Sequence, residues 1–182
     1  MIQERIAEGG MGVIYEGRQT LPDRIVAIKK SKKKTPSNQQ QLLQEAMIVG
    51  SLEHPNIIPI HQIIIEEEEP AVVMKRIRGE SFKDKIKAGC SIQESLQILI
   101  PVCNAVEYSH SQQIIHRDIK PSNIMIGHFG EVYLLDWGLA FNLSNGIETE
   151  IVGSPSFMAP EMLERDIANI SELTDVYLLG ST

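Results

Sequence analysis

The stretch that most constrains this chain is Ile115-His116-Arg117-Asp118-Ile119-Lys120-Pro121-Ser122-Asn123, a polar loop between two apolar runs. It brings a carboxylate that can serve as a base (Asp118), a cation two residues on (Lys120) and a neutral metal ligand (Asn123) into one short turn. Pro121 suits such a loop, because it fixes φ and has no backbone N–H to satisfy. Thirteen residues past Asn123 stands a second acid, Asp136, followed by Trp137 and Gly138. Two carboxylates, a carboxamide and a lysine suit a magnesium-bound phosphate. The oxygens are hard ligands for the ion, one carboxylate can accept a hydroxyl proton, and the cation can meet developing charge.

Upstream of that loop the pattern is rich in strands. Ile2 to Ala7 and Val13 to Arg18 read as two strands joined by Glu8-Gly9-Gly10-Met11-Gly12, a hairpin whose tip can approach a ligand closely. The hairpin lacks the Gly-Lys-Ser/Thr of a P-loop and opens no helix, so neither a P-loop nor a dinucleotide fingerprint is present. By itself it could equally be a tight turn. A third strand, Arg24 to Lys29, ends in a lysine that begins a basic run through Lys34. From Lys30 onward the run reads as a solvated face. Lys29 lies close enough to the hairpin to serve phosphate, and if buried it needs a carboxylate partner. A helix capped by Ser37 or Asn38 follows, with Leu42, Leu43, Ala46, Met47, Val49 and Leu52 at helical spacing and Glu45 set among them. Two further strands, Ile58 to Ile65 and Ala71 to Ile77, flank the acidic turn Glu66–Pro70, which reads as solvated. Beyond Gly79 helices dominate: Ser81 to Lys87, then Ser91 to Ser111 with a Ser91/Glu94 capping box and an internal Pro101 expected to kink it.

Taken together, these motifs resemble the eukaryotic-like (Hanks-type) serine/threonine protein kinases of bacteria. His116-Arg117-Asp118 is similar to their catalytic loop, and Asp136-Trp137-Gly138 to their Asp-Phe-Gly. Val26-Ala27-Ile28-Lys29 matches their Val-Ala-Ile-Lys, Ala159-Pro160-Glu161 their Ala-Pro-Glu, and His54-Pro55-Asn56-Ile57 a connection typical of the family. In the glycine loop Ala7 replaces the first glycine and Ile14 the valine. The resemblance implies an α+β fold of two lobes, a β-rich one over residues 1–77 and a partial helical one over 78–182 ending in the family's αF helix, with nucleotide in the cleft between them. It implies a Mg²⁺-dependent transfer of the ATP γ-phosphoryl group to Ser or Thr hydroxyls of a protein substrate.

Residue roles follow from the resemblance in the same way. Asp118 is the implied base, Lys120 the cation for the transferring group, Lys29 the phosphate lysine paired with Glu45, and Asn123 with Asp136 the Mg²⁺ ligands. The implied nucleotide contacts are Ile6, Ala7, Glu8, Gly9, Gly10, Met11, Gly12, Val13, Ile14, Ala27, Lys29, Met74 as gatekeeper, Lys75 and Ile77 of an unusually basic hinge, and Met125. Trp137 needs an acceptor for its indole N–H if buried. His116 packs as a core histidine, and His54, His61, His110 and His128 receive no chemistry. Ser154 stands where a hydroxyl can reach both Asp118 and Lys120, which points to Ser/Thr and away from Tyr specificity. Arg117 could bind an anion on the segment that ends at Glu161. Thr149 is a candidate phosphosite, or Glu150 a substitute for its phosphate. Asp175 is expected to bind backbone of the catalytic loop.

Composition sets outer bounds. The net charge of −7 argues against general nucleic-acid affinity. Cys90 and Cys103 form no metal pattern and suit a reducing cytoplasm. No apolar run reaches the ~18 residues of a membrane span. The family's domain runs to about 250 residues, so a chain of 182 is expected to be a truncated kinase domain, marginally stable and poorly active. A rival class is a non-catalytic nucleotide-binding scaffold (a pseudokinase), disfavoured by intact Lys29, Asp118, Asn123 and Asp136. Another is a small-molecule phosphotransferase, which would not need residues 153–161 for peptide docking.

Overall fold

The computed structural model describes residues 2–8, 12–67, 69–145, 153–164 and 169–182. The chain divides into two compact units, one formed by Met1–Glu53 with Ile58–Ile77, the other by His54–Ile57 with Arg78–Thr182. A boundary after Ile77 is where the sequence divides, but residues 54–57 belong to the second unit, against the expected 1–77. Polar bonds explain the exception. Asn56 gives its carbonyl to the Leu134 amide (2.8 Å) and its side-chain amide to the Val132 carbonyl (2.9 Å), while His54 stacks on Tyr108 with ring centroids 5.4 Å apart.

The first unit is a five-stranded antiparallel sheet and one helix. Strands β1 (Ile2–Glu8), β2 (Gly12–Thr20), β3 (Asp23–Ser31), β4 (Ile60–Glu66) and β5 (Glu69–Lys75) lie in the order β1-β2-β3-β5-β4. Side chains alternate between faces, so β3 and β5 supply two cores. On one face Val26, Ile28, Ala71 and Val73 pack with Tyr15 and Ile64. On the other, Val72 meets Leu42 and Ala46 of helix α1 (Pro36–Ser51), with Ile60, Ile63 and Met74 alongside. The cap of α1 is Thr35, earlier than the expected Ser37 or Asn38; its hydroxyl accepts the Asn38 amide at 3.4 Å. Pro36 explains the shift, because its fixed φ suits the first helical position and its missing N–H costs nothing there. Met47, counted among the periodic apolar residues, is 67% exposed. It lies about 100° round the helix from Ala46, off the buried stripe.

The second unit begins with β6 (Gly79–Ser81), α2 (Phe82–Ala88) and α3 (Ile92–Ser111). The Ser91/Glu94 capping box forms at α3, and the helix continues through Pro101. It carries two apolar stripes. Ile98, Val102, Ala105 and Val106 are buried, whereas Ile92, Leu96 and Ile100 are exposed. The buried stripe packs on β7 (Ile114–Ile115), β9 (Val132–Leu134) and α5 (Glu172–Gly180). β6 and β9 flank β8 (Ile124–Gly127), and β7 pairs with β10 (Phe141–Asn142). Gly79 is required at its crossing, since a Cβ there would lie 1.9 Å from the Ile126 carbonyl oxygen. A short α4 (Pro160–Leu163) completes the helices that bear on the site. Among the described residues no helix is long and apolar enough to cross a membrane.

Candidate active site

The loop after β7 is held by one buried carboxylate from α5. Asp175, fully buried, accepts the amide of His116 on Oδ2 (2.7 Å) and that of Arg117 on Oδ1 (2.8 Å). Those two bonds fix Arg117 at φ +66°, a left-handed conformation that a side chain rarely takes without compensation. A third donor, His110 Nε2 on the last turn of α3, reaches Asp175 Oδ2 at 2.9 Å. Sequence reasoning gave His110 no role. Its only signal is a polar residue on the last turn of an otherwise buried stripe, six positions before the loop.

His116 is a core histidine, as its setting suggests. Its Nε2–H donates to the Leu135 carbonyl (3.0 Å) and its Nδ1 accepts the Asp118 amide (3.2 Å), the pattern of a neutral ring. Its ring lies 4.6 Å from that of Trp137. Arg117 donates through Nε to the Leu139 carbonyl at 2.7 Å and lies over Phe141. Thr149 and Glu150, the proposed switch positions, lie outside the described residues, so the anion that Arg117 could meet there is not placed.

Asp118 is the hub of a closed triangle. Lys120 Nζ donates to Asp118 Oδ2 (2.6 Å) and to Ser154 Oγ (2.5 Å), and Ser154 Oγ donates to Asp118 Oδ1 (2.7 Å). Ser154 arrives there through Gly153, whose φ of +144° is a backbone conformation that favours glycine. Asn123 Nδ2 donates to the Asp118 carbonyl (2.8 Å) and to Asp118 Oδ2 (3.0 Å). With its amide nitrogen donating to Asp118, the Asn123 Oδ1 takes no part in that pairing.

Asp136 is brought beside it through backbone, since the Leu135 amide donates to the Asn123 carbonyl at 2.8 Å. Asp136 itself takes φ +59° and is exposed. A carboxamide oxygen and an exposed carboxylate carried on backbone joined in this way are donor types that suit a magnesium ion, which takes one or two protein oxygens and completes its shell with phosphate and water. Among the described residues no group of three or more His, Cys, Asp or Glu is arranged for a metal.

Trp137 is 1% exposed, and its indole N–H finds the Leu134 carbonyl at 3.3 Å. Replacing it by Phe is expected to cost about 1–2 kcal/mol, from one lost hydrogen bond and a partly filled gap. Chemical denaturation of the variant measures this, and an unchanged midpoint would count against the bond. Glu161 accepts the hydroxyl of buried Thr174 at 2.7 Å, a pairing the sequence did not suggest.

In the first unit Lys29 and Glu45 form a two-pronged ion pair (2.6 and 2.7 Å) with side chains only 12% and 11% exposed. Register sorts the remaining expected contacts. Ala7 pairs with Ile14, Ile14 with Lys29, Glu16 with Ala27, and Ala27 with Met74, so these residues share one sheet face. Glu8 and Val13 pair on the opposite face. Glu8 is bonded there to Arg5 and Lys32. Ile6 is half-buried on β1; Gly9, Gly10 and Met11 lie outside the described residues. Gly12 is needed where it stands, because a Cβ would lie 2.7 Å from the Lys30 carbonyl oxygen. Met74 is half-buried, and Ile77 is buried. Met125 is half-buried on β8 of the second unit. The hinge is less basic than its letters suggest, because Arg76 is paired with Glu16 at 2.9 Å. The lysine run is exposed from Lys32 to Lys34, where Lys32 is bonded to Glu8 and Lys34 to Glu69 of the acidic turn at the surface.

Comparison with known proteins bears on the whole chain. The protein kinase domain family matches residues 1–182. The serine/threonine-protein kinase PknD of Chlamydia trachomatis serovar D is 34% identical over 216 residues, covering 96% of this chain and 23% of that protein. PknD of Protochlamydia amoebophila is 32% identical over 216 residues, covering 98% of this chain and 22% of that protein. The chain thus spans under a quarter of the length of the curated relatives it matches.

Proposed function

Because this chain belongs to the protein kinase domain family, we propose that it transfers the γ-phosphoryl group of ATP to serine or threonine hydroxyls of a protein. The observation that carries the reading is the triangle of Asp118, Lys120 and Ser154. Asp118 Oδ accepts or orients the proton of the attacking hydroxyl, and Lys120 Nζ stands beside it to meet charge on the transferring group. Ser154, from the segment before Ala159-Pro160-Glu161, locks both in place. The names of the relatives, serine/threonine-protein kinases, support the same acceptor class.

Lys29, oriented by Glu45, supplies the cation for the nucleotide's phosphates, and the backbone of 75–77 meets its base. Asn123 Oδ1 and Asp136 hold the magnesium ion, which when bound neutralises phosphate charge. This chain's residues do the rest by position: phosphoryl transfer needs alignment and electrostatic stabilisation more than covalent chemistry. ATP as substrate and two free thiols, Cys90 and Cys103, suit action in the reducing cytoplasm.

The test is transfer of label from γ-labelled ATP, with Mg²⁺, to a generic Ser/Thr-containing protein by the full-length protein. Label is expected on Ser or Thr, and Lys29→Met is expected to lower the rate about 10²-fold. Label appearing only on a small molecule would move the protein to the phosphotransferase class. Binding of ATP without any turnover would make it a scaffold.

A further inference from the structure

We propose that Arg76, held by Glu16, is a positioning residue for the nucleotide base; this rests on the reading above, in which the backbone of 75–77 meets that base. Arg76 follows β5 directly. Its Nε donates to Glu16 Oε2 at 2.9 Å, and its Nη1 donates to the carbonyl of Ile77, the next residue. Both side chains are largely covered, Arg76 at 24% and Glu16 at 16% exposure. One guanidinium therefore ties β2 to the peptide at Ile77, and the rigid fork that allows this is a property of arginine and not of lysine.

The position of Glu16 gives the pair its meaning. Glu16 registers with Ala27, and Ala27 with Met74, on the face that also carries Ile14 and Lys29. A largely covered carboxylate is unfavourable unless a cation neutralises it, and Arg76 does so. At the same time Arg76 occupies one lone pair of the Ile77 carbonyl and so fixes the linker's conformation. The consequence is a base-end effect. Losing the pair should weaken every ligand that carries the base, whatever its phosphate count.

The test is calorimetric titration of the full-length protein with adenosine and with Mg-ATP. Arg76→Ala, Arg76→Lys and Glu16→Ala are each expected to weaken both ligands by the same factor, about fivefold. The Glu16→Ala/Arg76→Ala double variant is expected to bind like Arg76→Ala alone, because the two act as a unit. Lys29→Met, by contrast, should weaken ATP and spare adenosine. Arg76→Lys keeps the charge and guards against a mere folding defect. Wild-type adenosine affinity in Arg76→Ala and Arg76→Lys would overturn the proposal, and so would a loss confined to ATP. A wild-type protein that binds neither ligand would instead remove the reading beneath it.

Discussion

Asp118→Asn is expected to lower the rate of phosphoryl transfer about 10³-fold while leaving the KM for ATP within about threefold. The substitution preserves shape but removes the group that can accept a proton. It also places an amide where Lys120 and Ser154 both donate, so at least one donor in the triangle loses its acceptor. Asn123 loses its Oδ2 contact but keeps the Asp118 carbonyl, so its side chain stays roughly in place. Steady-state transfer of labelled phosphate, paired with a melting curve, measures the effect. A variant that folds normally and keeps more than a tenth of wild-type turnover would remove Asp118 from the chemistry.

The largest loss of stability is expected from Asp175→Ala. Truncation leaves the His116 and Arg117 amides and His110 Nε2 without their acceptor in a fully buried site. At ~1–3 kcal/mol for each orphaned donor, partly offset by relaxation, the expected cost is about 3–5 kcal/mol. For a chain of this size that corresponds to a fall in Tm of about 10 °C. Arg117, no longer pinned at positive φ, should relax and carry Asp118 with it, so activity falls as well. A wild-type melting temperature in Asp175→Ala would show that the loop is held by something else.

Much of this molecule is legible in its letters because the informative residues are local strings with one chemical demand each. The lysine of Val26-Ala27-Ile28-Lys29 and the glutamate inside an apolar helix stripe could each be read as half of a buried pair, since neither charge is tolerable there alone. Asp118, Lys120 and Asn123 sit in one turn, and Ser154, 34 positions past Lys120, could be placed against them only through the family resemblance. What escaped the letters is long-range and polar. Nothing in the sequence around His110 points to Asp175, 65 positions away. Thr174 opposite Glu161 is equally silent, because a hydroxyl on the first turn of a helix ordinarily caps it. The ion pairs of Glu8 with Arg5 and Lys32 are hidden for a related reason. The hairpin's register, with its shift between Arg5 and Ala7, decides which face each residue takes, and a one-residue slip exchanges the faces. Thr35 is hidden as a cap because Pro36 reads as a break before the helix and not as its first residue.

The four residues His54 to Ile57 interrupt the first unit and give their bonds to the second. The sheet-and-helix unit is therefore not a continuous stretch of chain that can be cut out whole. An excision at residue 77 would strand Asn56 without Val132 and Leu134, and His54 without Tyr108. Chimeras between this protein and a relative should exchange that tetrapeptide together with α3 and β9. A junction that respects only linear order would sever a joint the fold treats as one.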